Sequence, residues 1–501
     1  MNGRCNAGDL MFKAILRLTK QSAIYGIGHV LTKAVVIFLL PIHTNLVTPF
    51  EYGIATQLLV FLGITGIVYS YGLNTALLQF YLIEKDLERR NKYFSTAFVA
   101  TSITAVVFSI TIFFLRSVIA QFLFDSNQYD YLIKLSIGIL SLDALVLISK
   151  NILRAEEKSV GYIVVSFVNV LTNLFFNVLF VAKYSMGVKG IFLANLLASG
   201  ISFIILIPLV IKRFLPDISF LVLKRMLKFG LPFLPSALAI FFMDNIDRIF
   251  IKHFLGLEAV GLYGAGYKLA LVIKLFINAF QIAWIPFFIS MAKKEDAKEV
   301  YSRVLTYFTL ICSIIFLSFI MYMDQIIQFN ICGYTIFGKE YWNSTQIVPI
   351  VILAYISYGF YLNFLVSMFV KEKTKYLALV TGIGAVINIL GNFLLIPPFE
   401  LMGAAYSTLL SYLVMAISLY FIGQKHYSIR YEFGKILKVA LLSLSIFLIY
   451  KNISLPYESM FKLFLIIIYF MLLYLLRFFD SREIAKLKVI FKGFNGKIST
   501  R

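Results

Sequence analysis

The residues that could do chemistry here are charges set inside apolar runs. Lys33 lies in the first such run, and Lys134 and Asp143 in the fourth. Asp244, Asp247, Arg248 and Lys252 lie in the seventh, and Lys268 and Lys274 in the eighth. A charge at bilayer depth costs about 2.5–3.5 kcal/mol on insertion scales, so it marks a wet interior or a partner. Positions 244, 247, 248 and 252 follow i, i+3, i+4, i+8 and share one helix face. That face is expected to line a water-filled cleft. The structural alternative is an Asp244–Arg248 pair one turn apart, with Asp247 near the interface. Lys33, Lys134, Lys268 and Lys274 are read as lacking an acidic partner one turn away. Lys134 and Lys252 lie near helix ends, where snorkelling is an equal explanation. Unpaired cations at low dielectric compensate phosphate. A cargo with a phosphate head and a lipid tail fits them best, the head in the cleft and the tail in lipid.

Other chemistries are missing. No G-x-x-x-x-G-K-[ST] loop exists to hold a nucleotide, and no H-E-x-x-H. His29, His43, His253 and His426 are scattered, and His29 reads as packed or pore-facing. Cys5, Cys312 and Cys332 support neither a disulfide framework nor a zinc site. No cofactor, no metal and no enzymatic role are expected.

The elements that must position these charges follow from composition. Of 501 residues 60% are hydrophobic and 14% charged, against about 45–50% and about 25% in a soluble chain. The solvent must be largely lipid. Fourteen apolar runs of spanning length are expected, near 22–46, 53–80, 93–116, 130–152, 160–183, 188–212, 228–252, 259–290, 301–324, 345–371, 376–397, 401–423, 434–450 and 458–479. Run length favours helices over a barrel. With the N-terminus inside, 34 of the 46 Lys and Arg fall on the cytoplasmic side and 8 on the other. Both termini are therefore expected in the cytoplasm, and the net charge of +21 is mostly an orientation signal. No nucleic-acid partner is expected. The 50 Phe, 30 Tyr and 2 Trp are read mainly as interfacial belts. No cleavable signal peptide is evident, and the start is read as Met1 or Met11.

The chain repeats itself. At an offset of 208, Lys20 meets Lys228 and Gly53 meets Gly261. Asn173-x-x-x-Asn177 and Asn388-x-x-x-Asn392 follow at an offset of 215, each with a turn and a Gly-led helix, at Gly190 and Gly403. Six helices separate the repeats, so they share one orientation, as two lobes about an axis along the membrane normal. The expected organisation is a cytoplasmic amphipathic segment 1–21, a first lobe 22–213, a second lobe 214–423, two appended helices 424–479 and a basic tail 480–501. Pro232, Pro235 and Pro286 bend or open the helices leading the second lobe.

Four stretches carry a family resemblance: LVTPFEYGIATQ, LKFGLPFLPSALA, DNIDRIFIKHFLGLEAVGLYGAGYKLA and the two N-x-x-x-N–turn–G units. They resemble the polysaccharide transporter family of bacterial inner-membrane flippases, of the O-antigen flippase type. Its superfamily also contains the MATE drug exporters and the lipid II flippases. The resemblance implies an all-α membrane fold of about fourteen helices, with two pseudo-symmetric six-helix lobes and two appended helices. It implies alternating access, and movement of an undecaprenyl-pyrophosphate-linked oligosaccharide from the cytoplasmic to the outer leaflet. It also implies a cationic cavity, carried onto Arg248, Lys33, Lys268 and Lys274 with Lys134 beside them. Ion coupling falls to Asp143, Asp244 and Asp247. Partners would be the lipid-linked glycan, the bilayer and glycan polymerase or assembly proteins. Two alternatives are a cation or multidrug antiporter of the same fold, which would want an acidic cavity, and a membrane glycan polymerase. A polymerase would want a large outer loop with catalytic groups; a scaffold would need no charges inside the bundle.

Overall fold

The computed structural model describes residues 38–479, apart from 293, 332, 374 and 454–457. Lys33, His29, Cys5 and Cys332 therefore lie outside the described residues. The described chain is almost entirely helical. A helical segment ends at residue 46. It leads into α1 (Pro49–Ser70), α2 (Leu73–Ile83), α3 (Leu87–Phe124), α4 (Asp130–Ala155), α5 (Ser159–Asn177) and α6 (Gly187–Arg213). A short α7 (Phe220–Gly230) joins these to α8 (Phe233–Leu269), α9 (Leu271–Met291), α10 (Ala297–Met321) and α11 (Met323–Gln328). A two-stranded hairpin, β1 (Asn330–Ile331) with antiparallel β2 (Tyr334–Thr335), precedes α12 (Val348–Val370), α13 (Lys375–His426), α14 (Phe433–Asn452) and α15 (Glu458–Leu475).

Ten of these helices are long and apolar enough to cross a membrane, or up to eleven if α7 and α8, bent by 45°, form one span. The expected fourteen are not all among them: the run 22–46 lies mostly outside the described residues, α8 and α13 each continue across a sharp turn, and the last apolar helix, Met460–Leu475, is shorter. At 1.5 Å per residue, the 52 residues of α13 would run about 78 Å, against about 30 Å of hydrocarbon. The helix turns at Glu400 (φ 51°), just after Pro397 and Pro398. Likewise α8 breaks at Gly256 (φ 87°, ψ 179°), a conformation open to glycine.

Local sequence sets the starts. Thr48 and Glu51 form a reciprocal capping box on α1: the Thr48 hydroxyl accepts from the Glu51 N–H, and the Glu51 carboxylate accepts from the Thr48 N–H. Asp86 and Ser219 cap α3 and α7. The outward side is apolar rather than polar. Val106, Ile110, Phe114, Val118 and Phe122 recur every four residues on the exposed side of α3. Such a stripe is stable only against lipid.

The repeat is visible as matched contacts. Asn177 Nδ2 donates to the Asn173 carbonyl and side-chain oxygen, both at 2.9 Å. Asn392 Nδ2 does the same to Asn388, at 2.8 and 3.1 Å. The following turns place Ser185 and Glu400, offset by 215, at the same positive φ of 51°. The first turn then adds Gly187 (φ 52°), which accounts for the shorter offset between Gly190 and Gly403. Gly53 and Gly261 pack on each other's helices. A Cβ on Gly53 would lie 1.8 Å from the Leu257 carbonyl oxygen, and one on Gly261 1.8 Å from that of Pro49. Pro49 and Leu257 are themselves 208 apart. Two copies of one motif meeting face to face produce this reciprocity.

Candidate functional site

The charges in the apolar runs fall into four groups. In the first, Arg248 is sealed within α8. Its Nη1 donates to Asp247 Oδ1 and to the Asp244 carbonyl oxygen, each at 2.7 Å. Its guanidinium lies 4.5 Å from the Tyr267 ring centroid. Gln57 of α1 donates to the Arg248 carbonyl at 2.7 Å. Beside it, Lys274 Nζ meets Asp244 Oδ2 at 3.4 Å and stands 5.0 Å over the Tyr355 ring. Tyr412 donates to Asp244 Oδ1 at 2.9 Å, and Tyr355 to the Tyr267 hydroxyl at 2.8 Å. This cluster is charge-balanced, two acids against two bases. Its inner pair is almost dry, whereas the Asp244 and Lys274 side chains keep 34% and 28% exposure.

The expectation of no acidic partner one turn away is corrected at Lys134 alone, while Arg248 and Lys274 find carboxylates at other spacings. Arg248 pairs with Asp247, not with the Asp244 carboxylate that its spacing suggested. Lys274 finds Asp244 across the junction of α8 and α9. Lys134 has its partner one turn earlier, Asp130, at 3.2 Å; Arg116 shares that carboxylate at 3.1 Å. Lys134 is 47% exposed at the start of α4, so it serves an interfacial ion pair. Lys252 likewise bonds Asp125 at 2.9 Å and the Phe122 carbonyl at 2.6 Å.

Lys268 is different. It is half-buried at the end of α8 and, among the described residues, forms no ion pair. Its Nζ donates to the Tyr52 hydroxyl of α1 at 2.5 Å and lies 4.8 Å from that ring's centroid. Tyr52 in turn neighbours His43 (6.0 Å) and meets Tyr341 edge-on at 5.8 Å. His43 is buried and bonded to Asn177 at 2.8 Å.

The fourth group lies among α4, α5 and α6. Ser199 donates to Asp143 at 2.5 Å. Asp143 opens on a cavity of about 390 Å³ that Ser70, Asn74, Thr75 and Phe233 also line. Lys150, seven residues further along α4, donates to Ser166 at 2.6 Å and covers the Tyr162 ring at 4.3 Å. Lys150 falls inside the fourth apolar run, 130–152, yet is not among the charges singled out from the sequence. The tyrosines were missed as well. Those that hold Arg248, Lys274 and Lys268 belong to no interfacial belt; they form cation–π seats inside the bundle. Among the described residues no group of three His, Cys, Asp or Glu could hold a metal ion.

The family model of the polysaccharide biosynthesis proteins matches residues 43–344, which contain the charged residues of all four groups. The chain belongs to the polysaccharide biosynthesis protein family. It is 24% identical over 361 residues to Lsg locus putative protein 1 of Haemophilus influenzae, covering 69% of this chain and 85% of that one. In structure it resembles the lipid II flippase MurJ in an inward closed conformation, with a TM-score of 0.73 at 18% identity, over 91% of this chain and 97% of that one. It also resembles an inward-facing multidrug resistance MATE transporter, with a TM-score of 0.58 at 14% identity, over 81% and 99%. The fold is thus the all-α membrane transporter fold of those proteins.

Proposed function

We propose that this protein is a flippase that carries an undecaprenyl-pyrophosphate-linked oligosaccharide from the cytoplasmic to the outer leaflet by alternating access. It acts as two lobes, 22–213 and 214–423, with both termini in the cytoplasm of a bacterial inner membrane. The observation that carries the reading is the imbalance left after the ion pairs are counted. Asp247 and Asp244 neutralise Arg248 and Lys274, while Lys268 stays unmatched on a surface shared by α1 and α8. A cation kept half-buried without a carboxylate is stabilised by an anion that comes and goes. Family membership in polysaccharide biosynthesis supports a glycan on that anion, and the MurJ-like fold supports a lipid carrier.

Asp244 supplies the coupling. Ionised, it holds Lys274; protonated, it releases Lys274 to join Lys268 on the pyrophosphate. A proton taken up with each cycle would then alternate the interior between balanced and cationic states. Asp143 is a second proton or sodium site on the other side of the bundle. Arg248 has a structural share in this reading, holding Asp247 and the tyrosines in place. At the α8 cluster a cation exporter is disfavoured, because its carboxylates would be free, whereas Asp244 and Asp247 are matched there; of the three candidate acids only Asp143 stands without an ion pair among the described residues.

Deleting the gene tests this. Lipid-linked repeat units are expected to accumulate on the cytoplasmic leaflet, and restoring the gene is expected to clear them. Normal outer-leaflet levels in a strain with no second flippase would contradict the reading.

A further inference from the structure

A polar pocket lies where α10 begins and α13 passes into α14. It shares no residue with the four charge groups. It encloses about 520 Å³, lined by Lys298, Glu299 and Arg303 from α10 and by Ser428, Arg430 and Glu432 from the link. The link is held in place by its own bonds. Gln424 grips it twice, its Nε2 donating to the Ile429 carbonyl at 2.7 Å and its Oε1 accepting from the Ile429 N–H at 3.2 Å. Ile429 is buried, and the Ser302 hydroxyl of α10 donates to the Arg430 carbonyl at 2.8 Å. The Arg430 backbone is thereby fixed to the helix that carries Lys298. The charges around the pocket do not balance. Glu299 is taken by Arg303 at 2.6 Å. Glu432 is taken by Lys435 at 3.0 Å and accepts from the Thr306 hydroxyl at 2.9 Å. Lys298 and Arg430 form no ion pair among the described residues, and Lys298 stands 4.8 Å over the Tyr427 ring. Two such cations on one cavity are compensated by an anion. Both α10 and α14 also begin beside it, and their first N–H groups add to the positive potential.

Depth and surroundings say which anion. The 20 residues of α14 make about 30 Å of helix, the thickness of the hydrocarbon itself. Its first residues, and the pocket beside them, therefore stand at headgroup level. Aromatic rings gather there, with Trp284, Tyr301, Tyr427 and Tyr431 packed in one cluster. From the edge of the pocket, Phe433, Leu437, Leu441, Leu444 and Leu448 run down one exposed face of α14. An acyl chain can lie along that stripe while the phosphate that carries it sits between Lys298 and Arg430. A soluble phosphate would leave the stripe unused.

We infer that this pocket binds the headgroup of one anionic phospholipid of the bilayer, clamped between α10 and the α13–α14 link by Lys298 and Arg430. The lipid is a resident of the membrane and not the cargo, so the test needs no transport. The purified full chain in neutral detergent is titrated with dioleoyl phosphatidylglycerol and read by native mass spectrometry. The variant is Lys298→Gln with Arg430→Gln. The control is Lys212→Gln with Lys224→Gln, which removes the same charge from two other exposed positions. Wild type and control are expected to retain one tightly bound lipid, and the Lys298, Arg430 variant to bind it at least tenfold more weakly. Exchanging the two cations, Lys298→Arg with Arg430→Lys, should keep the lipid bound. Equal retention by all four proteins overturns the site, as does an equal loss in the control. The lipid-free melting curve of the Gln variant should match that of wild type, because no carboxylate loses its partner. If it falls, the single variants take its place in the same titration and the same outcomes decide. Glycerol 3-phosphate at the concentration of the lipid is expected to leave the lipid bound; displacement by it marks a site for soluble anions and overturns the lipid assignment.

Discussion

At the scale of single residues, the account turns on which cations are matched. Lys268→Gln is expected to lower flipping at least tenfold while leaving membrane insertion and thermal stability unchanged, because no carboxylate is orphaned. Lys268→Arg should retain part of the activity, since charge is kept while the Tyr52 seat is altered. A flipping assay beside a detergent-solubilised melting curve reads both. Arg248 should behave in the opposite way. Arg248→Met leaves Asp247 buried and alone, a loss of about 3–5 kcal/mol, and the melting curve should fall. The double variant Arg248→Met, Asp247→Asn should recover much of that stability. Sequence alone singled out Arg248, Lys268, Lys274, Asp143, Asp244 and Asp247, because a charge in an apolar run is conspicuous. Their pairing was not legible. Lys274 and Asp244 are 30 residues apart and meet only because α8 folds back at Gly256. Lys134 and Asp130 were legible at a one-turn spacing, and the pair was overlooked. The tyrosine seats carried no signal at all, being indistinguishable from thirty interfacial rings until the rings had positions.

At the scale of elements, close helix packing depends on a few glycines. Gly53→Ala and Gly261→Ala each drive a methyl into a facing carbonyl, at 1.8 Å before relaxation. Each should cost about 1–3 kcal/mol, and the two effects should not add, because both variants separate the same pair of helices. Gly256→Ala is the complementary case. Nothing lies within 4 Å of its Cβ, but φ is 87°. Its cost, about 1–3 kcal/mol, comes from backbone conformation alone. Melting temperatures of the three single variants and the double variant check both statements. The offset-208 echo made Gly53 and Gly261 visible as counterparts in sequence. It gave no hint that the counterparts touch, because a repeat fixes equivalence and not the axis that relates the copies. Thr48, Asp86 and Ser219 cap helices that begin before the expected runs at 53, 93 and 228, which apolar run length alone does not show, and the break at Glu400 was not legible either. A glutamate at positive φ runs against its own preference and is set by Pro397, Pro398 and the turn around it.

At the scale of the whole molecule, the charge of +21 separates into parts with different uses. Most of it reads, on the sequence, as loop charge that would orient the chain with both termini inside. Within the bundle Arg248, Lys274, Lys252 and Lys134 are neutralised by carboxylates, whereas Lys268 and Lys150 form no ion pair among the described residues. The architecture was legible from composition and run length, because lipid leaves a chain few choices. The pocket at the start of α10 was not, since Lys298 and Arg430 read as ordinary loop charges until they were found on one cavity. The most direct measurement of the central claim is leaflet exchange of a fluorescent undecaprenyl-pyrophosphate-linked disaccharide in proteoliposomes of the purified protein. Exchange well above that of protein-free liposomes, reduced at least tenfold by Lys268→Gln, is the predicted result; exchange equal to the protein-free rate, or unchanged by Lys268→Gln, would contradict it.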